Sequence, residues 1–164
     1  HNARDRHHHS RFLPRRLPAE VLLDAVHTVA GVPPAFDGLP PGTRAVELPD
    51  NSYNASSYFL TVFGRPDSSS ACECERVSEA NLAQALHLLN SDEIQGKVTR
   101  QGGRAAALAA DARPDEAKVT ELFRWAFART PTPDDLRTAL EHIRTMDART
   151  PGGAGKRVAY ENIL

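Results

Sequence analysis

Long apolar runs are missing from this chain. No stretch approaches the roughly 20 residues a helix needs to cross a bilayer, so no membrane-spanning segment is expected. A surplus of one charge is missing too. Twenty Lys and Arg stand against 21 Asp and Glu, a formal net charge of -1, so no global field favours nucleic acid or an anionic membrane. Cysteine is nearly absent: two residues in 164 cannot build a disulfide framework, and they leave the redox compartment open. Phosphate-cradling glycine loops are absent as well. Gly102-Gly103 and Gly152-Gly153 lack the strand-before, helix-after setting. The chain holds no G-x-S-x-G, H-E-x-x-H, C-x-x-C or C-x-x-C-H pattern. The Glu141-His142 pair stands on one helix surface with no second ligand nearby. These residues therefore supply no recognisable catalytic constellation, and no cofactor is expected within this segment.

What is present is ordinary globular material, 40% hydrophobic and 25% charged, in a length that suits one domain. Residues 1–16, "HNARDRHHHSRFLPRR", read as a basic, His-rich connecting arm. Residues 17–164 read as a helical domain. The chain starts at His1 without Met and stops at "YENIL", inside what reads as a helix. The expectation is a segment of a longer protein whose domain is incomplete at its C-terminal end.

The periodicity predicts mostly helices. "LPAEVLLDAVHTVAG" carries Val21, Leu22, Ala25, Val26 and Val29 on one stripe. Pro18 suits its first turn, Gly31 ends it, and Pro33 and Pro34 forbid continuation. Residues 32–57 form a long Pro/Gly-rich loop region in which "TRAVEL" alternates enough for one short extended segment. "YFLTVF" is a short apolar run of undecided type. From Ser78 onward Leu82, Ala85, Leu86, Leu89 and Ile94 are expected on one core-facing stripe, followed by an Ala-rich helix in "GGRAAALAAD". "PDEAKVTELFRWAFART" places Val119, Leu122, Phe123, Ala126 and Phe127 on one face. "TPTPDDLRTALEHIRTM" has the clearest start in the chain. Thr132 is the N-cap, Pro133 the first helical residue and Asp135 the partner in a capping box, with Leu136, Leu140 and Ile143 as core face. "GGAGK" is a break and "RVAYENIL" begins a last helix. The fold class is mainly α: an irregular multi-helix bundle with a long loop region and at most one short extended segment.

Both cysteines fall in "GRPDSSSACECER". In extended conformation Cys72, Cys74 and Arg76 point one way and Glu73 and Glu75 the other. Same-face neighbours then sit about 6.5–7 Å apart, at the upper edge of disulfide Cα separations. Three readings stay open: two small buried hydrophobes with the glutamates satisfied by Arg65 and Arg76; a strained, exchangeable disulfide; or half of a metal site, with His87 as the nearest further ligand to Cys72 and Cys74. The polar patch to follow is Arg65, Asp67, Cys72, Glu73, Cys74, Glu75 and Arg76, with His87 and Asn90 three apart on one predicted helix.

The phrases "FGRP", "CECER", "QALHLLNS" and "AFARTPT", in that order, resemble the planctomycete PSD-type domain of unknown function, family fifteen-fifty-three among such domains. The likeness runs over essentially the whole chain and makes the opening histidines native sequence. It implies an exported location, periplasmic or at the cell surface, at the C-terminal end of a large multidomain bacterial protein. Such proteins often carry a c-type haem module elsewhere in the chain, and sometimes carbohydrate-binding modules. It implies a further helix after Leu164, and an exported setting favours an oxidised Cys72–Cys74 pair. The family brings no established catalytic residues.

Three functions are expected from this. The first is a helical interaction or scaffold module packed on its own upstream domains. The alternative is part of an enzyme or redox site in polysaccharide breakdown or electron transfer, built on the Cys-x-Cys patch. The weakest is carbohydrate binding, for which Trp125 is the platform to examine; its simpler role is core.

Overall fold

The structure, a computed structural model, describes residues 16–66, 81–150 and 154–164. Among them lie eight α-helices and two 3-10 turns, and no strand. The mainly helical class is as the periodicity predicts. "TRAVEL" is not extended: Ala45–Glu47 is a 3-10 turn, held by a helix rather than by a neighbouring strand.

Helix α1, Ala19–Ala30, starts after Pro18 and ends where Gly31 takes φ 67, so that its N–H caps the His27 and Thr28 carbonyls. Its expected stripe is displaced. Leu22 and Val26 pack half-buried, and Val21 is 39% exposed. The buried face is Ala19, Leu23, Asp24, His27 and Ala30. The reason lies in the loop it faces. The Asp24 carboxylate accepts the Ala45 and Val46 N–H groups at 2.7 and 3.2 Å, so a polar residue is drawn inward to satisfy loop backbone.

A second 3-10 turn, Asn51–Ser56, leads into α2, Tyr58–Val62, which settles "YFLTVF" as helical. Helices α3, Leu82–Asn90, and α4, Asp92–Val98, follow, separated by Ser91, whose hydroxyl caps Ile94 N–H at 3.2 Å. Around α1, α2 and α4 lies the first core, with Leu23, Phe36, Phe59, Leu60, Phe63 and Ile94 inside it.

The second core is packed by α5, Arg104–Ala110; α6, Asp115–Phe127; α7, Pro133–Arg149; and α8, Ala154–Ile163. Leu108, Val119, Leu122, Ala139, Ile143, Ala159 and Tyr160 fill it. The α7 capping box forms as the sequence predicts, with Asp135 N–H donating to Thr132 Oγ1 at 3.2 Å and Thr132 N–H to Asp135 Oδ2 at 3.0 Å. Helices α7 and α8 cross tightly at Gly155. A Cβ there would meet the Met146 carbonyl and come within 2.8 Å of Asp147 Cα and the Thr150 carbonyl.

Arg104 ties the two cores together. Its Nε donates to Val29 O at 2.7 Å and its Nη2 to Thr28 O at 3.0 Å. A side chain of the second core thus occupies the negative end of α1, where a cation is favoured. None of the helices is long and apolar enough to cross a membrane among the described residues.

Candidate functional site

The polar patch expected around the cysteines is described only in part. Asp67, Cys72, Glu73, Cys74, Glu75 and Arg76 lie outside the described residues, as do residues 1–15 and 151–153; of the expected "GGAGK" break, Ala154, Gly155 and Lys156 are instead the first turn of α8. The remaining three members, Arg65, His87 and Asn90, have separate surroundings. Arg65 is 8% exposed. Its Nε lies 3.1 Å from Glu20 Oε1 and its Nη2 donates to Asp50 O at 3.1 Å, so it braces the start of α1 against the loop. Asn90 is exposed at the last position of α3.

His87 is turned inward on α3. Its ring meets Tyr58, Phe59 and Phe63 edge-on, at centroid distances of 5.6, 5.7 and 6.5 Å. Its Nε2 lies 3.7 Å from Glu93 Oε2. Glu93 in turn accepts from Ser57 Oγ at 2.7 Å, Phe59 N–H at 3.4 Å and Lys97 Nζ at 3.3 Å. The carboxylate on α4 therefore caps the N-terminus of α2 in place of a local N-cap. Sequence reasoning named only His87 of this cluster and missed its partners, because they lie on other elements. The i, i+4 spacing of Glu93 and Lys97 is the one local trace of those partners. Ser57 is 6% exposed, so the cluster is packing rather than a cleft. Among the described residues no group of three His, Cys, Asp or Glu could hold a metal ion.

Helix α3 itself overturns an expectation. Leu82, Leu86 and Leu89 are 74%, 49% and 69% exposed, and Ala85 is exposed beside them. They were expected to face a core. The buried side chain is Gln84, 5% exposed. It donates to Val62 O at 3.0 Å, accepts from Asn81 N–H at 3.2 Å and also bonds Arg16 Nη1. Gln84 and His87 thus latch α3 onto the unsatisfied C-terminal carbonyls and rings of α2, and the leucine stripe is left on the opposite side. Of the five expected residues only Ile94 enters a core, and it does so from α4.

A second apolar surface opens in the second core. The α6 stripe begins buried at Val119 and Leu122 and is half-buried at Phe123. It then runs out of the core: Ala126 is exposed and Phe127 is 62% exposed. Between this end of α6, the first half of α7 and the end of α8 lies a groove of about 560 Å³. Phe123 and Phe127 line one wall, Thr138, Ala139 and His142 the other, and Ile163 and Leu164 the floor. The charged side chains along it are Asp134 and Asp135. Arg129 covers both phenyl rings, at 5.2 and 5.6 Å, and pairs with Asp135 at 2.9 Å. The Asn162 amide and His142 Nε2 approach to 3.3 Å at the far end.

Trp125 is not core, contrary to the simpler expectation. It is 50% exposed, with the Arg104 guanidinium 4.5 Å above its ring. That cation covers a face a sugar would stack on.

A family profile described as a protein of unknown function, PSD1 or DUF1553, matches residues 1–143. The chain belongs to the PSD1 family. This is the family the ordered phrases around the cysteines resemble, and the match spans both cores as far as Ile143 in α7. No curated protein and no solved structure matches this PSD1 chain.

Proposed function

We propose that this PSD1 chain is a helical interaction module that packs on the upstream domains of its own exported polypeptide. The observation that carries this reading is the α6 stripe. One continuous apolar face is core at Val119 and Leu122 and exposed at Ala126 and Phe127, as a core is when another element completes it. Phe127 continues into an apolar groove rather than standing alone, and a contiguous exposed apolar surface of this kind fits a docking site.

The size of the groove favours a tethered partner. A freely diffusing partner in a stable complex contributes about 800 Å² of contact, more than one short groove offers. A partner on the same chain is present at an effective concentration in the millimolar range and needs less.

Amide hydrogen exchange compares the 164-residue chain with the full-length parent protein. Slower exchange over the C-terminal turn of α6 and the first turns of α7 is expected in the parent. Phe127→Glu, at an exposed position, should abolish the difference while leaving the chain folded. Equal exchange in both proteins would overturn the proposal.

A further inference from the structure

The leucine stripe of α3 is a different surface on a different core, and its pattern selects a different partner. Leu82, Leu86 and Leu89 follow one another at spacings of four and three, the spacing of a helix-pairing seam. All three are exposed. The stripe is nearly symmetric about Leu86, so in an antiparallel pair of α3 helices Leu86 meets its own copy and Leu82 meets Leu89. A helix that reads the same in both directions fits itself, which is what a two-fold interface requires.

Charge points the same way. None of the nine residues Leu82–Asn90 is Asp, Glu, Lys or Arg. Two copies of α3 therefore meet without like-charge repulsion between the side chains of the helix itself. The polar side chains Gln84 and His87 are engaged with α2 and Glu93 on the inner side and do not interrupt the seam.

Area sets the strength. The exposed parts of Leu82, Leu86 and Leu89 amount to something on the order of 350 Å², under half of what each partner contributes to a stable free complex. The pair is a reversible one that forms as concentration rises.

We infer that the outward face of α3 is a self-association surface, on which two copies of this chain pair antiparallel about Leu86. Sedimentation velocity on the 164-residue chain, from micromolar to millimolar concentration, is expected to show a monomer–dimer equilibrium. Leu86→Glu and Leu86→Lys, both at a half-exposed position, should each be monomeric with unchanged helical circular dichroism. An equimolar mixture of the two should dimerise again, because glutamate then faces lysine across the two-fold axis. Phe127→Glu, in the groove, should leave the dimer intact, which separates this surface from the docking proposed above. A wild-type chain that stays monomeric, a Leu86→Glu chain that still dimerises, or a Glu/Lys mixture that stays monomeric would each overturn the inference.

Discussion

The core around Phe59 and Leu60 and the core around Ile143 and Tyr160 bring polar groups inside in different ways. In the first, isolated side chains stand in for missing secondary structure. Asp24 holds the Ala45 and Val46 N–H groups, Arg65 the Asp50 carbonyl, Gln84 the Val62 carbonyl and Glu93 the Phe59 N–H. In the second, helices satisfy their own backbone and one network carries the buried charge. Lys118, 1% exposed, reaches Asp115 Oδ1 at 2.7 Å and the Leu108 and Asp111 carbonyls at 3.2 and 3.1 Å. Tyr160 donates to Asp115 at 2.9 Å and Lys156 lies 3.2 Å from it. Burial, and then the bond to Asp115, push the Tyr160 hydroxyl well above its ordinary range. Burial also pushes the Asp115 carboxyl up, but bonds from Lys118, Tyr160 and Lys156 outweigh it and hold the group low. The comparison teaches that a loop-rich half needs many single polar contacts, each local in effect, while a helical half concentrates its risk in one place.

The sharpest way to break the contrast is Lys118→Ala. It leaves two carbonyls and part of a carboxylate unpaired inside the helical half. A loss of about 3–5 kcal/mol is expected in urea unfolding, the range for breaking a buried ion pair by removing one partner. A loss near zero would mean that the network is not what holds α5, α6 and α8. Asp24→Ala is the matching change in the loop-rich half. It strips the partner from two backbone N–H groups, and about 1–3 kcal/mol should be lost. Faster amide exchange should be confined to Ala45 and Val46 and their neighbours; faster exchange throughout α7 would remove the distinction between the halves.

The smallest effect is a pH dependence. His27 donates its Nδ1–H to Val32 O at 3.0 Å. Burial, with Lys97 nearby, lowers its pKa below the ordinary 6.5, against the smaller opposing effects of the Val32 carbonyl, Asp24 and Glu93. The unfolded chain therefore binds the proton first. The stability this neutral imidazole contributes is complete above pH 6.5 and is lost as pH falls toward the depressed folded value. Asp115, held below its ordinary 3.8, adds no slope in that window. Thermal melts from pH 7 to about pH 5 should fall for the native chain and fall less for His27→Gln. Equal slopes would show that His27 is not the group responsible.

Much of the helical half was legible because its signals are local. Thr132, Pro133 and Asp135 announce α7 within four residues, and Leu136, Leu140 and Ile143 keep the face that their spacing predicts. In the other half the signals depend on distant partners. Asp24 is drawn inward by N–H groups 21 and 22 residues away, and Glu93 caps a helix from another element. Of the patch built on the cysteines, His87 lies among the described residues, and its neighbours are aromatic rings and Glu93.

The order of residues alone determined that α1 stops at Gly31, that α7 starts at Pro133 after its cap Thr132 and that α3 is an amphipathic helix, because caps and periodicity act within one or two turns. Only the packed chain decided which side of α3 faces inward. Periodicity separates leucines from Gln84 and His87 but does not choose between the two faces. That choice follows from which face finds partners, and the polar face finds the Val62 carbonyl and the α2 rings.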